Sequence, residues 1–195
     1  MTHSTTRTYL NTLTQSFSDE IIAGVESLSK DLRKAWAEKR QVFICGNGGS
    51  AANALHIAND FHYGIGCGDQ GKSIPGIRVN ALPSNTGILT CLANDTGYEN
   101  IYSNQLDVLG NKDDLLIVLS GSGNSPNIVN ALEKARELGI RSYAILAFSG
   151  GKCKHLADCP IHFPVDDMQI AEDTQLIIGH ICMQWLNKNK PESVI

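Results

Sequence analysis

Two short segments of this 195-residue chain have compositions suited to holding an anion. Gly46-Asn-Gly-Gly-Ser50 packs three glycines into five positions, so its backbone can approach a ligand closely. Ser120-Gly-Ser-Gly-Asn-Ser125 offers three hydroxyls and the N–H groups around two glycines. Each segment follows an apolar run and opens a helical stretch. The free N–H groups and positive end of that helix therefore add to the loop. Neither segment contains Lys or Arg, so a phosphate held here is held by hydroxyls and amides. The plainer alternative for each is a strand-to-helix turn with a capping serine.

The ionisable residues form a second set. His56 and Asp60 are four apart on the helical stretch after the first loop and share a face. His180 lies in a mostly apolar helical segment, with Glu172, Asp173 and Gln175 one to two turns earlier. His56, Asp60, Glu172 and His180 could converge as a metal site or as an acid–base pair. The alternative for a histidine on an apolar helix is a satisfied core residue. At roughly 100° per residue, Asp173 is nearly eclipsed with His180 while Glu172 is about 80° off. That angle favours Asp173 as the neighbour of His180. Gly46, Gly48 and Ala51 satisfy the spacing of a dinucleotide fingerprint, yet the following strand ends at Pro83 without an acid for a ribose hydroxyl. No nucleotide cofactor is expected, and there is no Walker loop.

The elements that must position these residues alternate. The first 40 or so residues read as helix, with Phe17, Ile21, Ile22, Val25, Leu28, Leu32 and Trp36 forming an apolar stripe. Ser18 is its candidate cap, with Asp19 and Glu20 in the first turn. Residues 42–45 are a short continuous apolar run, typical of a strand buried on both faces. Further strands are expected at 77–82, 115–119, 143–147 and 161–164. Helices are expected from the first loop through Phe61, at 88–92, 100–109, 126–138 and 168–187, with a frayed tail from Lys188. Alternating strands and helices predict an α/β fold: a doubly wound, parallel, five-stranded sheet with an N-terminal helical extension, all in one domain spanning 1–195. The extension packs either on its own core or on a partner subunit.

The formal charge is −4, so no broad electrostatic footprint for nucleic acid exists. No apolar run approaches the roughly 20 residues of a membrane span, and the N-terminus lacks the apolar core of a secretory signal. A cytoplasmic location is expected. The six cysteines show no zinc-knuckle or thioredoxin spacing, and most read as small buried hydrophobes.

Five motifs occur in order: Cys45-Gly-Asn-Gly-Gly-Ser-Ala51, His56-Ile-Ala-Asn-Asp60, Ala93-Asn-Asp-Thr-Gly-Tyr98, Ser120-Gly-Ser-Gly-Asn-Ser-Pro126 and the Gly179-His180 helix. Together they closely resemble the phosphoheptose isomerases of the sugar isomerase (SIS) superfamily, over nearly the whole chain after Gln41. The resemblance implies conversion of sedoheptulose 7-phosphate to D-glycero-D-manno-heptose 7-phosphate, through an enediol, for lipopolysaccharide, capsule or related heptose synthesis. It implies a homotetramer with active sites at subunit interfaces and the 1–40 helical region in the assembly. It also implies one zinc per subunit, a sugar-phosphate ligand, and no nucleic-acid or membrane partner. Carried over by position, Ser120, Gly121, Ser122 and Ser125 hold the phosphate. Asn47, Gly48, Gly49 and Ser50 line the sugar, with Asn94, Asp95 and Glu172 completing the pocket. His56, Asp60, Glu172 and His180 match the metal ligands, and Asp60 and His180 the base and acid.

The chain departs from that pattern at several positions. Asp60 stands where the family usually has Glu, Glu172 stands for Gln, and Gln175 for His. The usual Ser-Thr-Ser reads Ser120-Gly-Ser122. Asp60 retracts its carboxylate by about 1.5 Å. These changes motivate an alternative: a non-catalytic SIS module that binds a sugar phosphate or a protein partner, of the replication initiator-associating type.

Overall fold

A computed structural model describes residues 5–68 and 73–194. Five strands form one parallel sheet: β1 (Gln41–Gly46), β2 (Arg78–Ala81), β3 (Leu115–Ser120), β4 (Arg141–Leu146) and β5 (Cys159–His162), in the order β2-β1-β3-β4-β5. This is the expected doubly wound arrangement. All six residues of β3 are buried, as its unbroken apolar run requires of a central strand.

Side chains alternate between the faces of the sheet. Val42, Ile44, Ile117, Leu119 and Ile145 pack under α2 (Asp19–Ala37), α3 (Gly49–His62) and α8 (Met168–Lys188). Phe43, Cys45, Leu116, Val118 and Ala144 pack under α5 (Ser103–Leu109) and α6 (Pro126–Leu138), with the short α7 (Cys153–Leu156) beside α6. Each fully buried Leu or Ile contributes about 1.5–3 kcal/mol. The sheet is thus held from both sides, and the loops at its ends are left to carry chemistry.

Local sequence sets the element ends. Ser125 is the N-cap of α6, Pro126 fills the first turn where its missing N–H costs nothing, and Gly139 ends the helix at φ +70°. The expected N-terminal helix is two helices. Ser18 caps α2 by accepting from the Ile21 N–H, as anticipated, but it also ends a break after α1 (Thr5–Gln15). Helix α1 buries no residue and rests against α8, so the apolar stripe belongs to α2. Residues 1–4 of the expected extension, and Ile195 of the tail, lie outside the described residues; Glu192–Val194 form a 3-10 turn. Helix α4 (Thr86–Thr96) is longer than the expected 88–92 and buries no residue of its own.

Three cysteines are buried, Cys45, Cys153 and Cys182, while Cys67 and Cys159 are half-buried and Cys91 is exposed. The expectation that most are core residues therefore holds for only half of them, because Cys91 is off the face of α4 that sets Leu89, Leu92 and Ala93 against the core, and Cys67 and Cys159 are only half-buried. Burial pushes the Cys182 thiol up to about 12 and the Cys153 thiol up to about 11, and it raises Cys45 as well. None of these three is a thiolate nucleophile at neutral pH.

Candidate active site

In a sheet of order 2-1-3-4-5 the connections leave in opposite directions from β1 and β3, opening a crevice at their carboxyl ends. Both glycine- and serine-rich loops lie at this crevice. Asn47, Gly48, Gly49 and Ser50 form one wall of a cleft. Ser120, Gly121, Ser122 and Ser125 form the other, and Met168 and Glu172 of α8 close it. Among the described residues no Lys or Arg lines it.

The hydroxyls have a common polarity. Ser120 Oγ accepts from the Gly123 N–H at 3.1 Å, and Ser122 Oγ accepts from the Asn124 N–H at 3.3 Å. Their lone pairs are thus partly engaged and their protons are free to donate. Ser125 makes no side-chain capping bond to α6, which leaves its hydroxyl available too. Three donors beside the open first turns of α3 and α6 suit an oxyanion.

Gly48 has φ +55° and ψ −122°, a conformation open to glycine and strained for other residues. A Cβ at Gly49 would overlap the Glu172 carboxylate, so α8 and the first loop are in close approach there. At Gly121 a Cβ would lie 2.8 Å from Met168 Sδ and 3.5 Å from Phe148 Cε2. Met168 therefore takes the space a side chain at 121 would need. Gly121→Thr is expected to cost about 1 kcal/mol and raise the KM for a sugar phosphate, because a flexible thioether can move only at some cost in packing. Adding Met168→Ala should restore most of the loss, read from thermal unfolding and KM of the single and double variants.

A separate cluster lies along the α3–α8 contact. His56 Nε2 is 3.0 Å from His180 Nε2, and Asp60 Oδ2 is 3.6 Å from each. Among the described residues, these three bring one donor atom each within 4.8 Å of one another. For metal–ligand bonds of about 2.0–2.1 Å the edges of a tetrahedron are about 3.3–3.4 Å, so the triangle fits a divalent cation such as zinc. The two imidazoles are about half exposed, which leaves a side open to substrate or to a further ligand. Neither histidine is a core residue.

Glu172 is not in this cluster. It precedes His180 by eight residues, about 12 Å of helical rise, and its carboxylate lies at Gly49 in the cleft. Asp173, favoured by the angular argument, does not meet His180. It accepts from Tyr9 Oη of α1 at 2.6 Å, and that bond raises the Tyr9 hydroxyl to about 12. Asn53 Nδ2 donates to the Glu172 carbonyl at 2.9 Å and to buried Gln175 Oε1 at 3.2 Å, tying α3 to α8 between the two sites.

Asn94 and Asp95 are exposed at the end of α4 and do not line the cleft. Asn94 donates to Asp95 at 2.7 Å, and Cys91 Sγ lies 3.5 Å from the same carboxylate. Tyr98, three residues after Asp95, is the part of that motif that reaches the cleft, through Asn47. Sequence reasoning missed Tyr98, Asn127, Met168 and Phe148. Tyr98 closes the quoted Ala93–Tyr98 motif, and Asn127 directly follows the Ser120–Pro126 motif, but neither was assigned a role.

A parallel sheet with a hydroxyl-lined cleft at its switch point defines the class. Residues 7–147 match the SIS domain family. A phosphoheptose isomerase of Clostridium acetobutylicum is 36% identical over 169 residues, covering 87% of this chain and 84% of that protein. One from Helicobacter pylori is 36% identical over 149 residues, covering 76% and 75%. The chain belongs to the phosphoheptose isomerase family, within the SIS domain proteins. The structure of a phosphoheptose isomerase from Francisella tularensis shares the fold with a TM-score of 0.86 at 23% identity, over 95% of each chain. Another from Neisseria gonorrhoeae gives 0.84 at 23% identity, over 93% and 94%.

Proposed function

We propose that this chain is an aldose–ketose isomerase that converts sedoheptulose 7-phosphate to D-glycero-D-manno-heptose 7-phosphate. The observation that carries the reading is the cleft at the β1/β3 switch point, where three serine hydroxyls present donors and, among the described residues, no Lys or Arg lines the wall. Ser120, Ser122 and Ser125 anchor the phosphate, with the first-turn N–H groups of α6. Asn47, Gly48, Gly49, Ser50 and Glu172 face the sugar. Asn94 and Asp95 are placed to complete the pocket only when a second subunit covers α4.

Asp60 takes a proton from C1 of the open-chain ketose and returns it to C2. His180 protonates the carbonyl oxygen as the enediol forms, and the C1 hydroxyl gives up its proton as the aldose carbonyl appears. The proton count is unchanged over the cycle. His56, Asp60 and His180 would hold a divalent cation, zinc being the one their nitrogen and oxygen donors suit. Such an ion supplies polarisation of a carbonyl oxygen. Glu172 is the fourth ligand only if the assembly brings it to the trio of another protomer.

Assembly is part of the proposal. Helices α1 and α4 bury no residue, and Leu10 and Ile88 on them are exposed, as are Leu55 and Ile181 beside the trio. A homotetramer that covers these faces seats the trio of one copy near the cleft of another and places the 1–40 region in the interface. The whole chain, 1–195, acts as one SIS domain. Among the described residues no helix is long and apolar enough to cross a membrane. The reaction serves heptose synthesis for lipopolysaccharide, capsule or a related glycoconjugate, in the cytoplasm. The non-catalytic alternative is not favoured, since the curated relatives are named isomerases and the trio stays together.

A coupled assay on sedoheptulose 7-phosphate tests the reading. Turnover is expected, with chelation lowering it at least about 10-fold and added zinc restoring it. No conversion with zinc supplied would overturn the enzyme assignment. Zinc content near zero in gently purified protein, with full activity, would overturn the metal.

A further inference from the structure

Asn47 sits between two residues that no motif match assigns a role. Buried Asn127, at the start of α6, exchanges two hydrogen bonds with it. Asn47 Nδ2 donates to Asn127 Oδ1 at 2.9 Å, and Asn127 Nδ2 donates to Asn47 Oδ1 at 2.8 Å. Tyr98 Oη donates to the same Asn47 Oδ1 at 3.0 Å. Three segments thus meet at one amide: the loop after β1, the turn after α4 and the first turn of α6.

An amide oxygen has two lone pairs and an amide nitrogen two protons. Both acceptor positions of Asn47 are filled, and one of its two protons is used. Among the described residues a single side-chain N–H is left without a partner, on a residue that lines the cleft. We propose that Asn127 and Tyr98 are positioning residues that fix Asn47 as a single hydrogen-bond donor, directed at an acceptor oxygen of the sugar. This rests on the reading of the cleft as a sugar-phosphate site. A free Asn side chain would present either its oxygen or its nitrogen to the ligand. The clamp removes the choice, so Asn47 rejects a group that can only donate. It also keeps the amide in place before substrate arrives, and a misplacement of about 1 Å at such a group costs on the order of 100-fold in rate.

The test compares wild type, Asn47→Ala, Asn127→Ala, their double variant and Tyr98→Phe, in kcat/KM for sedoheptulose 7-phosphate and in inhibition by inorganic phosphate. Asn47→Ala and Asn127→Ala should each lower kcat/KM by roughly 10- to 100-fold, and the double variant should be no worse than the poorer single, because one residue acts through the other. Inhibition by phosphate should stay within about twofold of wild type in every variant, since the serines hold that group. A residue that merely supported α6 would lower phosphate affinity as well, because Ser125 caps that helix. If Asn127→Ala does not fold, exposed Tyr98→Phe carries the test, with an expected loss of roughly 3- to 10-fold at unchanged phosphate inhibition. Multiplying losses in the double variant, unchanged kcat/KM in Tyr98→Phe, or weakened phosphate inhibition would overturn the clamp. A wild type that binds sedoheptulose 7-phosphate without converting it would remove the isomerase reading alone, and the same comparison of variants is then made on its dissociation constant. A wild type that neither binds nor converts it overturns both.

Discussion

His180→Gln is expected to abolish turnover of sedoheptulose 7-phosphate while leaving phosphate binding intact. The substitution removes an imidazole whose Nε2 lies 3.0 Å from His56 Nε2 and 3.6 Å from Asp60 Oδ2. Glutamine is neutral and carries no proton that titrates near neutrality, so it cannot replace a general acid. A positioned acid or base is worth on the order of 100- to 10,000-fold, and kcat should fall by at least that much. The side chain is about half exposed, so its loss should change stability little. The phosphate-holding serines stand on the loop after β3, in the cleft that Glu172 closes, and Glu172 precedes His180 by eight residues of α8. Calorimetric titration with inorganic phosphate should therefore match the wild type. An unchanged kcat would sink the acid–base assignment, and a parallel loss of phosphate binding would show that the cluster and the cleft are not separate.

The second large effect is expected at Gly123. Its φ is +65°, and a Cβ there would overlap the carbonyl oxygen of Gly150 and sit 3.1 Å from the Gly151 nitrogen. Both are backbone atoms, so no side chain can swing aside. The loop after β3 and the loop after β4 are further tied by the Cys153 N–H to the Gly123 carbonyl at 3.0 Å, and by the Lys152 N–H to Asn124 Oδ1 at 3.1 Å. Gly123→Ala must push the loops apart and break these bonds together with the Gly123 bond to Ser120. The cost should be about 3 kcal/mol or more, which lowers Tm by roughly 6–12 °C in a chain of this size. Phosphate affinity should fall with it. Gly48→Ala is the control: it meets nothing within 4 Å, so it carries conformational strain alone, about 1–3 kcal/mol. Equal thermal shifts for the two would show that loop interlock contributes nothing.

Strands β1 and β3 were readable as short unbroken apolar runs, and α6 because Pro126 and Gly139 mark its ends; β2, with Arg78 and Asn80, and β5, which starts at Cys159 before the expected 161, gave weaker signals. The break between α1 and α2 was harder to read. Ser18 announces a helix start, but nothing around Gln15 announces a stop, and α1 has no apolar stripe of its own. The loops of the cleft announced themselves through glycine and serine. The trio was half legible: the four-residue step from His56 to Asp60 is local, but pairing with His180 depends on how α3 meets α8. Angular reasoning on α8 misjudged Asp173 because a wheel gives directions and not what stands opposite. Tyr9 of α1 meets Asp173, and Gly49 makes room for Glu172. The roles of Asn127 and Tyr98 were not legible because their partner Asn47 is 80 and 51 positions away and the bonds are between side chains that only the folded chain brings together.

The strand order has a kinetic consequence. The two walls of the cleft meet only when β1 pairs with β3, in a register that sets Ile44 beside Ile117. During synthesis, Asn47 and the first wall leave the ribosome long before Ser120 exists. They must wait through β2, α4 and α5 for their neighbour. Closing so long a segment is entropically costly and makes non-local pairing slow. Until then Val42, Phe43 and Ile44 form an apolar strand with one unfilled edge. Substitutions that weaken β3 should therefore act first on the yield of refolding and on aggregation of the nascent chain, and only later on catalysis by the molecules that do fold.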